Sequence, residues 1–299
     1  MGLKIENVNK SYGTKKVVDN ISFHIDKPGV FGLLGTNGAG KTTTIRMILG
    51  ILKKDSGEIS WNGKEVARKH VNFGYLPEER GIYPKTKIYD QMMYFARLKG
   101  MSKQKADEAI KFWMKRLEVE EYMYMPAEKL SKGNQQKIQF ITAILHDPEL
   151  IVLDEPFSGL DPVNSELLKN VMIDLVKQNK YIIMSSHQMS SIEEFCTDVV
   201  ILNKGRTVLK GNLKEIRNTY KATKIELSTV ENAEEIIKNL GLEILFSKDN
   251  DYEIAIHGEE DGYKLFKELS KNNMNVIKFE IKKPSLNDIF IEKVGKSEE

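Results

Sequence analysis

The residues best equipped for chemistry lie in the run Gly35-Thr36-Asn37-Gly38-Ala39-Gly40-Lys41-Thr42-Thr43. Gly35, Gly40, Lys41 and Thr42 satisfy the spacing G-x-x-x-x-G-K-[ST]. Glycines let backbone N–H groups turn inward around a phosphate with no Cβ in the way, and a helix starting at the loop's end adds the positive end of its dipole. Lys41 offers a cation for β- and γ-phosphate charge, and Thr42 a hydroxyl for Mg2+. At average residue frequencies the pattern arises by chance in roughly one chain in a thousand of this length. Its flanks narrow the reading further, because Val30 to Leu34 reads as a strand and Thr43 to Leu49 as a helix. The segment is expected to cradle phosphate.

Hydrolysis needs a second element on another strand. The run LIVLDEP ends in Asp154 and Glu155. At a strand tip beside the cradle, Asp154 can hold Mg2+ through water, and Glu155 can reach a water attacking a γ-phosphate. His187 follows the next apolar run, YIIMSS, where a γ-phosphate contact fits. His24, His70, His146 and His257 have no such placement and are read as structural.

The elements that position these residues follow from texture. Up to about Ser60 short apolar runs broken by Gly, Asn, Asp and Pro indicate strands and turns. From about Lys85 to Leu145 the spacing is helical, which marks a helical insertion. ELIVLDEP and YIIMSSH then return as continuous apolar runs with a helical segment, about Asn164 to Gln178, between them. Buried parallel strands with crossover helices fit best, so the core is α/β. Past Asn212 the order becomes β-α-β-β-α-β, the split βαβ arrangement of a ferredoxin-like α+β domain, with a last amphipathic piece from Ser285. The domains expected are therefore 1–212, with its insertion at about 85–145, and 213–299. No chemistry is visible on the second.

Composition sets outer bounds. Lys and Arg total 45 against 43 Asp and Glu, a net charge of +2, which speaks against nucleic acid as a partner. No stretch approaches the roughly 18 to 20 apolar residues that a spanning helix needs, and no signal core opens the chain, so a cytoplasmic location is expected. The single cysteine, Cys196, suits a reducing compartment and is expected in the core.

With LSKGNQQK at Leu130 to Lys137 and SGLD at Ser158 to Asp161, the stretch from Met1 to about Asn212 resembles the ATP-binding subunit of an ABC transporter. The resemblance implies an ABC cassette of the P-loop NTPase fold: a parallel-sheet core, an N-terminal antiparallel part and a helical subdomain. It implies ATP and Mg2+ as ligands. Gly35 to Thr43 become the Walker A loop, Asp154 the Walker B aspartate, Glu155 the catalytic base, His187 the switch histidine and Asp161 the D-loop aspartate. Tyr12 stands where the family stacks an aromatic ring on adenine. Two positions depart from the family pattern. LSKGN replaces LSGGQ, keeping Ser131 and Gly133, whose hydroxyl and backbone can still grip a γ-phosphate. Glu78 stands where a Gln is usual, and its carboxylate can approach Mg2+ or the attacking water.

The signature segment implies contacts from Ser131, Gly133 and Asp161 to the ATP of an opposing subunit, hence a head-to-tail dimer, homomeric or heteromeric. Separate membrane-spanning permease subunits are implied as partners, docking on the segment from Glu78 to about Asp90 and on the helical insertion. The chain would then lie on the cytoplasmic face of the membrane. The form of the signature, GYLPEERGIYP, the extra domain and the ending PSLNDIFIEKVGK look most like the ATPases of ABC-2 type exporters, among them the sodium-extrusion and drug or peptide resistance groups. The alternative is a soluble ABC ATPase acting on ribosomes or DNA. A single cassette, an insertion of only about sixty residues and no sustained heptads in it speak against that reading.

Overall fold

The computed structural model describes residues 2–66, 71–79 and 81–295. The chain divides into two compact units, residues 1–210 and 211–299, two residues ahead of the boundary read from sequence texture.

In the first unit, β1 (Leu3–Tyr12), β2 (Lys15–Ile25), β3 (Gly29–Gly35), α1 (Lys41–Ile48), β4 (Ser56–Trp61), β5 (Lys64–Glu65) and β6 (Phe73–Leu76) lead into the helices α2 (Ile88–Leu98), α3 (Lys103–Arg116) and α4 (Lys132–Ile144). There follow β7 (Leu150–Asp154), α5 (Pro162–Lys177), β8 (Tyr181–Ser186), α6 (Met189–Glu193), β9 (Asp198–Asn203) and β10 (Arg206–Asn212), whose last two residues fall past the division at residue 210. One sheet has the order β2-β1-β4-β5 and is antiparallel. The other has the order β10-β9-β3-β8-β7-β6, and its five strands from β9 to β6 run parallel.

All five residues of β7 are buried, as expected for a strand covered on both faces. The antiparallel sheet and one face of the parallel sheet share a core in which Leu3, Ile5, Phe23 and Ile59 meet Phe31, Leu33, Val152, Ile183 and Val200. Phe23 and Phe31 stack at 5.0 Å across this junction.

The helical insertion holds α2, α3 and α4. In α3, Ala106, Ile110 and Met114 recur every four residues and are buried, and the Ser102 hydroxyl caps the first turn by accepting the Lys105 N–H at 3.2 Å. Strand β6 is among the elements that sequence pattern does not announce: it is four residues long and interrupted by Gly74. A Cβ there would lie 2.0 Å from the Ala143 carbonyl oxygen, so α4 can cross β6 only over glycine.

The second unit contains α7 (Leu213–Asn218), β11 (Lys224–Thr229), α8 (Glu234–Asn239), β12 (Glu243–Lys248), β13 (Asp251–Ala255), α9 (Glu259–Lys271), β14 (Val276–Lys282) and α10 (Leu286–Gly295). Its sheet has the order β12-β13-β11-β14, with every neighbour antiparallel. Strand β13 is inserted between β11 and β12, which is the split βαβ, ferredoxin-like arrangement. Ile225, Leu227, Tyr252 and Ile254 turn one face of the sheet toward Ile237, Leu265 and Leu269 of α8 and α9.

Candidate functional site

Strand β3 ends at Gly35, and the chain turns through Gly38 and Gly40 into α1. All three glycines have positive φ, at +150°, +78° and +99°. A Cβ on Gly35 would stand 2.3 Å from the Leu202 carbonyl oxygen, and one on Gly40 would stand 2.7 Å from that of Val17. Glycine is therefore required there twice over, by conformation and by close approach. Lys41 is buried. Its Nζ donates to the carbonyl oxygens of Gly35 at 2.8 Å and Thr36 at 3.2 Å, so the ammonium is held by the loop it belongs to. A cavity of about 250 Å³ opens between Asn37–Thr43, Val17, Glu78 and the pair Asp154 and Glu155.

The acidic pair sits at the carboxyl ends of the parallel strands, where ligands of open α/β sheets bind. Strand β8 lies between β3 and β7, and Ser185 is in register with both Leu33 and Asp154. Its hydroxyl donates to Asp154 Oδ1, while Thr42 Oγ1 donates to Asp154 Oδ2 at 3.1 Å. Asp154 is 1% exposed and has no ion-pair partner among the described residues. A buried carboxylate satisfied only by two neutral hydroxyls, facing a cavity beside Glu78, is a donor set suited to a hard, oxygen-seeking cation such as Mg2+. Burial, reinforced by the Asp154 charge, pushes the Tyr75 hydroxyl above its ordinary value.

Glu155 begins a turn, with its own φ at +53° and the Ser158 N–H donating to its carbonyl at 3.1 Å. Left-handed backbone at a residue with a Cβ costs about 1–2 kcal/mol. Glu155 Oε1 accepts from the His187 backbone N–H at 2.9 Å and from its ring Nδ1 at 2.8 Å, which assigns the ring proton to Nδ1. The His187 side chain is half exposed, whereas that of Glu155 is 12% exposed. His187 thus touches Glu155 here and lines a neighbouring cavity of about 420 Å³ together with residues from Pro156 to Leu160.

Ser131 caps α4, its hydroxyl accepting the Asn134 N–H at 3.2 Å. The second turn of that helix then ties it to the turn after β7 and to the start of α5. The buried Gln136 amide donates to the carbonyls of Glu155 at 3.3 Å and Pro156 at 3.0 Å. Lys137 Nζ donates to Asn164 Oδ1 at 2.9 Å, and Asn164 donates from its backbone and side chain to both oxygens of Asp161, at 2.9 Å and 2.6 Å. Those bonds, the backbone one foremost, hold the Asp161 carboxyl below the usual carboxylate range. Gly133 approaches the loop of Asp161, where an added Cβ would lie 3.3 Å from the Gly159 carbonyl oxygen.

The structure thus brings Asn37 to Thr43, Glu78, Asp154 and Glu155 to one cavity, with Gly35 and Thr36 beneath the loop. Ser131, Gly133, Asp161 and Tyr12 do not line that cavity. Tyr12 stands half exposed at the end of β1, with Lys10 Nζ 5.8 Å from its ring centroid and Asp55 accepting from Lys10 at 2.6 Å and from the Ser11 N–H at 2.7 Å. His146 donates from Nε2 to the Phe73 carbonyl at 3.1 Å, a structural contact, and Cys196 is buried. His70 lies outside the described residues. Sequence reading missed Ser185, Gln136, Lys137 and Asn164. The available signal was polar side chains in SSH and QQK, at positions where the pattern demands burial.

A glycine loop running from a central parallel strand into a helix, with a buried aspartate on a nearby strand, defines a P-loop NTPase site. Residues 18–158 match the family model described as ABC transporter, and residues 211–294 match that of the ATP-binding protein DrrA1-3-like, C-terminal domain. The ABC transporter ATP-binding protein YhaQ of Bacillus subtilis (strain 168) is 46% identical, over 98% of this chain and 98% of that one. The linearmycin resistance ATP-binding protein LnrL of the same organism is 28% identical, over 99% of each. A solved structure of the ATP-binding subunit of an ABC transporter matches at 30% identity with a TM-score of 0.68, covering 73% of this chain and 93% of that one. The chain belongs to the ATP-binding proteins of ABC transporters. No helix among the described residues is long and apolar enough to cross a membrane.

Proposed function

We propose that this chain hydrolyses ATP to power an ABC-2 type membrane exporter, acting as a head-to-tail dimer beneath separate permease subunits on the cytoplasmic face of the membrane. The observation that carries the hydrolytic reading is the convergence of Thr42, Asp154 and Glu155 on the cavity above Asn37–Thr43. The loop N–H groups and Lys41 hold the phosphates, and Tyr12 stacks on adenine. Thr42 and Asp154, with Glu78 beside them, are the residues that would hold Mg2+, which when bound neutralises charge on the phosphate oxygens. Glu155 accepts the proton of the attacking water, and His187, already bonded to Glu155, orients that carboxylate and reaches toward the γ-phosphate.

Ser131, Gly133 and Asp161 stand apart from the cavity, and in the proposed dimer they act on the ATP of the opposing subunit. ATP closes the two copies and hydrolysis lets them reopen. Permease docking on the segment from Glu78 to about Asp90 and on the helical insertion is supported by an apolar groove of about 360 Å³, walled by Phe73, Tyr75, Pro77, Phe95 and Leu98. The buried Gln139 amide on its wall has no hydrogen-bond partner among the described residues. An incoming segment with free peptide groups satisfies such an amide. LnrL, named for linearmycin resistance, supports export as the direction.

The test is ATP turnover by the wild type and by Glu155→Gln, with size-exclusion chromatography in ATP and Mg2+. Turnover lower by about 10²–10⁴-fold in the variant, with a trapped dimer, is expected. Equal turnover in both would remove Glu155 as the base.

A further inference from the structure

The sheet of the second unit has two edges, and they differ. Strand β14 carries Lys278 and Lys282, both paired with Glu226 of β11, and is followed by Lys283 and Pro284. Lysine and proline are devices that keep an edge from pairing with another chain, and here the charges are also satisfied internally. Strand β12, at the opposite edge, is bonded to β13 alone and contains no proline. Leu245 and Phe246 stand 47% and 54% exposed in succession along it. Its two charges, Glu243 at the start and Lys248 at the end, have no ion-pair partner among the described residues.

An irregularity at Leu245 sets the sidedness of this strand. Ile244 opposes Ile254 and Ser247 opposes Tyr252, two residues buried toward the helices. Glu243, opposing Ala255, and Lys248, opposing Asp251, therefore share the other face. In a regular strand, residues five apart face opposite ways, so it is the bulge that brings these two charges to one side. Turned about a two-fold axis between residues 245 and 246, the strand is complementary to itself. Glu243 meets Lys248 of the second copy, Ile244 meets Ser247, and Leu245 meets Phe246, each contact occurring twice.

We propose that β12 pairs antiparallel with β12 of a second copy of this chain in that register, joining two four-stranded sheets into one. A six-residue edge buries less than a stable dimer needs by itself. The pairing is accordingly weak alone and gains from any other contact between the same two chains through effective concentration.

The test uses the full chain without nucleotide, so its outcome does not depend on the ATP reading. Cys196 is buried, which leaves introduced cysteines as the reactive thiols. Opposed residues of an antiparallel pair lie about 4.5–5.5 Å apart at Cα, within disulfide reach, whereas positions 243 and 248 of one strand are ~17 Å apart. Under diamide, Glu243→Cys/Lys248→Cys is expected to form a covalent dimer at about tenfold the yield of either single variant. A yield no higher than that of the single variants overturns the proposal. In sedimentation velocity, Glu243→Lys is expected to weaken self-association about tenfold, and Glu243→Lys/Lys248→Glu to restore it. A double reversal as weak as the single one, or a wild type that stays monomeric at high concentration, as it would if the edge served a different protein, overturns it equally.

Discussion

Gln136 Nε2 donates to the Pro156 carbonyl oxygen at 3.0 Å, tying the second turn of α4 to the turn that carries Glu155. The same amide reaches the Glu155 carbonyl, which the Ser158 N–H also holds. Glu155 keeps that local partner if Gln136 is lost, while Pro156 loses the contact that fixes the turn to α4. Because Ser131 caps the same helix, a ligand at Ser131 and the carboxylate of Glu155 share one rigid support.

From this follows a kinetic separation. Gln136→Met, close in size and unable to donate, is expected to lower kcat about tenfold and to leave KM for ATP within about twofold, since the glycine loop is untouched. Steady-state kinetics beside a thermal melt checks it. A fall in kcat matched by an equal loss of ATP affinity would make Gln136 a packing residue only.

The glycines of the loop are not equivalent. Gly40→Ala places a Cβ 2.7 Å from a carbonyl oxygen at φ +99°, so the loop must move, and ATP affinity is expected to fall by at least about tenfold. Gly38→Ala meets nothing within 4 Å and bears only the cost of positive φ, about 1–2 kcal/mol. Titration with a fluorescent ATP analogue ranks the two, and a Gly38 variant weaker than the Gly40 variant would contradict the geometry.

These contrasts show what was legible in the sequence. The glycine spacing was readable because conformation and close approach admit one residue type. The β-α-β-β-α-β order was readable because alternation and helical spacing are local. Strand β6 was not, since its Gly74 answers to Ala143, 69 positions away. Ser185 and Gln136 escaped for the same reason: a buried hydroxyl or amide has meaning only once its acceptor, distant in the chain, is known.

Cys196 supplies a simple control on the first unit. Burial pushes its thiol well above the ordinary range, so little thiolate forms at pH 8. Ellman's reagent is expected to find almost no reactive thiol in the native chain and one per chain in urea. Rapid native labelling would contradict its placement.

His146 gives the first unit a pH dependence whose sign can be worked out. Burial, helped by the Lys99 charge, pushes the imidazole down from 6.5 to about 4. Between those values the unfolded chain binds the proton and the folded chain does not. Stability from this group is therefore full above about pH 6.5 and is lost as pH falls toward 4. The ring is only partly enclosed, which brings the loss to roughly 1–2 kcal/mol. His146→Gln does not titrate and keeps an amide to donate to Phe73, so it is expected to flatten this part of the pH profile. Both tryptophans, Trp61 and Trp113, lie in the first unit, and their fluorescence in urea at pH 7.5 and 5.5 reads its unfolding. Equal pH slopes in wild type and variant would assign the dependence to other groups.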